Sequence, residues 1–128
     1  MKSGDCVLMP KPGANQIPHL WIVITDPNNN GECVIVNITT YKAISDNTVV
    51  LKSGDHPFIK HDSIVEYMDA RIVSEQKLEA AIKGGAAISK ERCPVSTLAK
   101  IQKGILKSPH AARKIVAFCA ECWRDSGD

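Results

Sequence analysis

The side chains able to exchange protons near neutrality concentrate in one short stretch of this 128-residue chain. Within KSGDHPFIKHDSIVEYMDARIV, residues 52–73, His56, Lys60, His61 and Asp62 fall inside seven positions, and the two histidines flank a Pro-Phe-Ile segment. Histidine, with an ordinary pKa of ~6.5, populates both protonation states at neutral pH and can serve as general base or general acid. Lysine supplies a positive charge for an anion or a developing oxyanion. His19 opens an apolar run and Thr39-Thr40 closes another. Loops and strand ends held by a rigid scaffold are where such groups tend to work. Each residue also has an ordinary structural use. His19 can be a strand-edge residue, His56-Pro57 a turn, His61-Asp62 a local hydrogen-bonded pair, and Thr39-Thr40 a strand terminus. Lys11 and Lys60 can be solvated charges.

The elements that would position these groups can be read from pattern. Residues 6–9 read as a first strand, and Lys11 to Gln16 as a loop punctuated by Pro and Gly. PHLWIVIT, residues 18–25, is rich in β-branched and aromatic residues, as buried strands are. Asp-Pro-Asn-Asn-Asn-Gly at 26–31 is a turn signal, so the apolar run 33–39 should pair antiparallel with the strand before it. Residues 48–51 give a fourth short strand, and 63–67 and 70–73 two further segments. At Ser74 the character changes. Ser74 can cap a helix over 75–83 that Gly84-Gly85 stops. Val95, Leu98, Ile101 and Ile105 recur at helical spacing. Ser108-Pro109 reads as the cap and first turn of a last helix, about 109–124, with Ile115, Phe118, Cys119, Cys122 and Trp123 on one stripe. Strands first and helices last point to one α+β domain over 1–128: a small, strongly bent antiparallel sheet or barrel with C-terminal helices.

Composition narrows the class. With 44% apolar residues the chain can bury a core of its own, and a net charge of +2 neither demands nor excludes nucleic acid. No window approaches the ~18 apolar residues of a membrane span. The apolar run in MKSGDCVLMPKPG is too short for a secretory signal, and five cysteines are an odd number, so reduced thiols in a cytoplasmic setting are expected. Cys119 and Cys122 invite a zinc reading. A zinc site needs four ligands, however, and only Cys93 and His110 are near in sequence, at no familiar interval. Their spacing puts both on the apolar stripe, so core packing is expected, with no metal and no cofactor. That stripe could instead form a partner surface.

The order of these segments resembles the MazF/PemK-like toxins, RNA-cleaving endonucleases of toxin–antitoxin pairs. Gly4-Asp5-Cys6-Val7-Leu8 is similar to that family's first strand, Pro18 to Ile24 to its second, and Val36-Asn37-Ile38-Thr39-Thr40 to its third. Asp62-Ser63-Ile64-Val65, Arg71-Ile72-Val73 and Lys77-Leu78 follow in the family's order. The resemblance covers residues 4–106. It implies an SH3-like barrel, a homodimer, a cognate antitoxin partner and single-stranded RNA as substrate. Metal-independent cleavage of that kind needs a base for the 2′-hydroxyl, a cation for the phosphorane and an acid for the leaving 5′-oxygen. On this chain the resemblance and the residues together select His19, Thr39, His56 and His61 as catalytic, and Lys11, Thr40, Lys60 and Arg71 as substrate-binding. Two departures stand out. Where the family enters its second strand with a catalytic Arg, this chain has Ile17-Pro18-His19, and the 54–61 segment is longer than the family's connection. The alternative is a small-barrel module that binds nucleic acid or protein without cleaving it.

Overall fold

Residues 20–24 are apolar at every position, which suits a strand covered on both faces rather than one. The computed structural model, which describes residues 1–11 and 17–126, bears this out. Its elements run β1 (Cys6–Pro10), β2 (Pro18–Val23), β3 (Glu32–Thr40), β4 (Val50–Leu51), β5 (Ser63–Ser74), α1 (Glu75–Lys83), β6 (Ile88–Lys90), α2 (Val95–Ile105) and α3 (Arg113–Ser126). The six strands form one antiparallel sheet in the order β4-β5-β3-β2-β1-β6, curled into a half-barrel. The chain is thus α+β. No helix among the described residues is long and apolar enough to cross a membrane. The loop expected at 11–16 lies, after Lys11, outside the described residues.

Side-chain alternation divides the sheet into two buried faces. Leu20, Ile22, Val34, Val36, Ile38 and Tyr67 face one core, which Ile101 and Ile105 of α2 and Ile115 and Cys119 of α3 complete. Val7, Trp21, Val23, Cys33 and Ile35 face the other, closed by Leu78 of α1. The β2–β3 hairpin is antiparallel as expected, with Leu20 opposite Ile38 and Val23 opposite Ile35. Its turn is built by Asn28, whose Oδ1 accepts from the amides of Asn30 and Glu32, and by Gly31 at φ +72°. Ser74 caps α1 by accepting from the Lys77 amide, also as expected.

Three elements differ from the pattern reading. The segments expected at 63–67 and 70–73 are one strand, β5. It bends between the pairs Ile35–Arg71 and Asn37–Glu66, where two steps of β3 span five of β5. Such a bulge keeps pairing continuous while adding curl. β6 carries no apolar alternation, and it pairs with β1 at Ser89–Val7 by backbone hydrogen bonds rather than by a buried face. The last helix begins at Arg113 rather than 109. Ser108 is spent elsewhere: its hydroxyl donates to Asp46 Oδ2 at 2.6 Å and accepts the His110 amide.

Gly104 of α2 packs tightly against Tyr67 of β5 and Val49. Tyr67 Oη donates to the Ile101 carbonyl at 2.7 Å, and a Cβ on Gly104 would overlap both Tyr67 Oη and Val49 Cγ2. Gly104→Ala is therefore expected to cost about 2–3 kcal/mol through overpacking of the core, read as a lower urea midpoint at unchanged m-value. A change under ~0.5 kcal/mol would mean that α2 is not held at this distance. Asp46 ties the β3–β4 loop to the α2–α3 turn. Burial pushes its carboxyl up, but the Ser108 and Thr48 hydroxyls and the Thr48 amide outweigh that, and its pKa lies below the ordinary 3.8. A depressed folded-state pKa stabilises in full above 3.8 and is lost as pH falls through the lower folded value. Asp46→Ala should cost about 1 kcal/mol at neutral pH, given its partial exposure. In urea titrations the gap to the parent should narrow as pH drops below 3.8; a gap independent of pH would contradict the assignment.

Candidate functional site

β2 and β3 bring His19 beside the end of β3. Leu20 pairs with Ile38, so the next step outward sets His19 next to Thr39, and His19 Nδ1 lies 3.5 Å from the Ile38 carbonyl. A carbonyl only accepts, so a hydrogen bond at this long contact requires the proton on Nδ1. The end of β3 also pairs with the start of β5, Thr40 opposite Ser63. The β4–β5 loop closes over this corner. His61 Nε2 sits 3.1 Å from Thr40 Oγ1, where the hydroxyl can donate to a neutral ring nitrogen or accept from a protonated one. Ser63 Oγ donates to the His61 carbonyl at 2.9 Å, and the Tyr41 amide to the Asp62 carbonyl.

Between these two walls is an open cavity of about 190 Å³ whose lining includes His19, Thr39, Thr40, Lys60 and His61. Five of the eight residues selected from sequence thus converge on one space. None of the cavity's described lining residues is acidic, so an anion meets hydroxyls, imidazoles and a lysine rather than a repelling charge. Asp62 is drawn away to Lys52, 3.0 Å from Nζ, and not to His61.

The other three do not line this cavity. His56 is fully buried: its Nε2 donates to the Glu91 carbonyl at 2.7 Å, and its Nδ1 accepts the Phe58 amide at 2.9 Å. Both ring nitrogens are occupied, so His56 fastens the loop rather than exchanging protons with a substrate. Thr97 Oγ1 adds a second tie to the same loop through the Asp55 carbonyl, and Ile59 a third through the core. Lys11 pairs with Asp69 at 2.7 Å, and that carboxylate raises its pKa. Arg71 lies 5.8 Å from the Trp21 ring centroid, in a separate groove of about 430 Å³ with Met9, Ile35 and Lys114.

Two residues were missed by the sequence reading. Phe58 lines the cavity and remains 42% exposed, with Lys90 Nζ 5.9 Å from its ring centroid. The signal was present as an aromatic between the two loop histidines. Asn37, opposite Trp21 and Glu66, is fully buried with both amide atoms unpartnered. A single polar residue inside CVIVNIT was its signal.

No protein-family model matches the chain, and no curated protein matches it.

Cys119 is buried in the core beneath α3, as expected, and Cys122 is half-buried. Among the described residues no three His, Cys, Asp or Glu side chains gather as metal ligands would. Burial pushes the thiols of Cys6 and Cys119 up to about 12, and those of Cys33 and Cys93 up to about 11. The thiolate is the reactive form, so these four should be inert at pH 8. A DTNB titration of the folded protein should find at most one fast thiol, Cys122, and all five after unfolding. Two or more fast thiols in the native state would contradict this packing.

Proposed function

We propose that the chain is a metal-independent endoribonuclease, the toxin of a toxin–antitoxin pair, acting on single-stranded RNA in the cytoplasm. The carrying observation is the convergence of His19, Thr39, Thr40, Lys60 and His61 on one small cavity with no acidic residue among its described lining residues. The resemblance to MazF/PemK-like proteins supports the same reading, together with an SH3-like description of the barrel, a homodimer and an antitoxin partner.

The chemistry divides between the two walls. His61, beside the Thr40 hydroxyl, takes the 2′-hydroxyl proton. The freed 2′-oxygen attacks the adjacent phosphorus, and charge builds on the non-bridging oxygens. Lys60 and the Thr39 and Thr40 hydroxyls stabilise that charge. His19, oriented by its Nδ1–H on the Ile38 carbonyl, gives a proton from Nε2 to the departing 5′-oxygen. The P–O5′ bond breaks, leaving a 2′,3′-cyclic phosphate and a 5′-hydroxyl. Histidine thus stands where the family has a fixed cation, and adds a proton carrier there.

The test is cleavage of a single-stranded ribo-oligonucleotide in chelator, beside a copy with 2′-deoxyribose at the cleaved position. Cleavage should require that 2′-hydroxyl and should fall on the order of 10²–10⁴-fold in His19→Ala and in His61→Ala. His56→Ala should lower thermal stability, and any loss of rate should follow from that. Retained activity in both cavity-histidine variants would overturn the assignment. The replacement of the family's Arg by His19 favours a second reading, a binding module without cleavage. Tight RNA binding with no cyclic-phosphate product across varied sequences would select it.

A further inference from the structure

We propose that Phe58 is a stacking platform for an unpaired nucleobase next to the phosphate held in the cavity. The inference rests on the nuclease reading and says which part of the RNA is gripped. Phe58 shares the cavity with His19, Thr40, Lys60 and His61, yet the residue is 42% exposed. Its exposure is not a consequence of a loose loop. The Phe58 amide is bonded to the buried His56 ring, and Ile59 beside it is only 4% exposed in the core. The ring is therefore displayed by a backbone already fixed in place, and little ordering entropy remains to be lost on binding.

The chemistry of the neighbours selects the ligand class. Lys90 places its ammonium 5.9 Å from the ring centroid, on a strand outside the loop. A base lying on the opposite face would cover the apolar surface, with Lys90 backing the ring from the other side. Base–aromatic stacking is worth ~1–3 kcal/mol and accepts every base, because each has a π-face. Bases in a duplex are already stacked on one another, so this platform selects for single strands rather than for sequence.

The probe is a 2′-O-methyl oligoribonucleotide, which cannot be cleaved by 2′-hydroxyl attack, carrying 2-aminopurine at one position at a time. Binding should quench the fluorophore at one position or two adjacent ones. Phe58→Ala should abolish that quenching and raise Kd about tenfold, within the span of one stacked base. Phe58→Trp should keep both. Ile44→Ala, another exposed apolar residue but outside the cavity, should change neither. Undiminished quenching and affinity in Phe58→Ala, or equal affinity for the duplex form, would overturn the platform. Cleavage of the matching all-ribose strand by the parent is scored separately. Phe58-dependent quenching without cleavage overturns the nuclease reading alone; cleavage with Phe58-independent binding overturns the platform alone.

Discussion

The arrangement of the candidate site depends on one buried imidazole. His56 joins the β4–β5 loop to the segment after β6 by donating to the Glu91 carbonyl while accepting the Phe58 amide. Lys52 to Asp62 forms no regular element and turns through Gly54 at φ +98°; the Ile59 amide on the His56 carbonyl and the Thr97 hydroxyl on the Asp55 carbonyl assist the imidazole in holding it. A buried polar group left unpaired costs ~1–3 kcal/mol, so an imidazole satisfied at both nitrogens defines one loop position among many. From that anchor Phe58, Lys60 and His61 project in a fixed relation to the end of β3.

The opposite wall is set by strand register. His19 and Thr39 are neighbours because Leu20 pairs with Ile38, and Thr40 meets the loop because it pairs with Ser63. A slip of one residue would exchange the two faces of β3, burying Thr39's face where Ile38 now packs. The two cores resist that slip, since Val34, Val36 and Ile38 fill one and Cys33 and Ile35 the other. Tyr67 and Gly104 then fix α2 against the same sheet. Core packing and site geometry are thus one problem at this corner of the molecule.

Much of the scaffold was legible because its signals are local. The Asn-rich turn, the apolar runs on either side and the Ser74 cap each state their structure within a few residues. β6 was not legible, because Ser89 and Lys90 pair through backbone alone. The start of α3 was misplaced because Ser108 spends its hydroxyl on Asp46, 62 residues earlier, a contact no local rule contains. The same distinction separates the two loop histidines. His56 and His61 look alike in sequence; a carbonyl 35 residues downstream makes one structural, and Thr40 draws the other to the cavity. Lys11 and Arg71 were chosen as cations, and both have found partners on the sheet, Asp69 and Trp21.

Placing the two imidazoles on different elements has a mechanical consequence. In the proposed cleavage, base and acid must stand on opposite sides of a phosphorus, so groups from a single loop or strand would tend to share one side. Here the sheet contributes His19 and the loop contributes His61, and the distance between them is held by the junction of β3 with β5. That junction is dense in hydrogen bonds: Thr40 with Ser63 in the ladder, Ser63 Oγ to the His61 carbonyl, and the Tyr41 amide to the Asp62 carbonyl. None involves a charged group, so salt screening does not weaken the spacing, unlike the exposed Lys52–Asp62 pair beside it. The neutral ladder holds the geometry, and Lys60, His19 and His61 all line the cavity it frames.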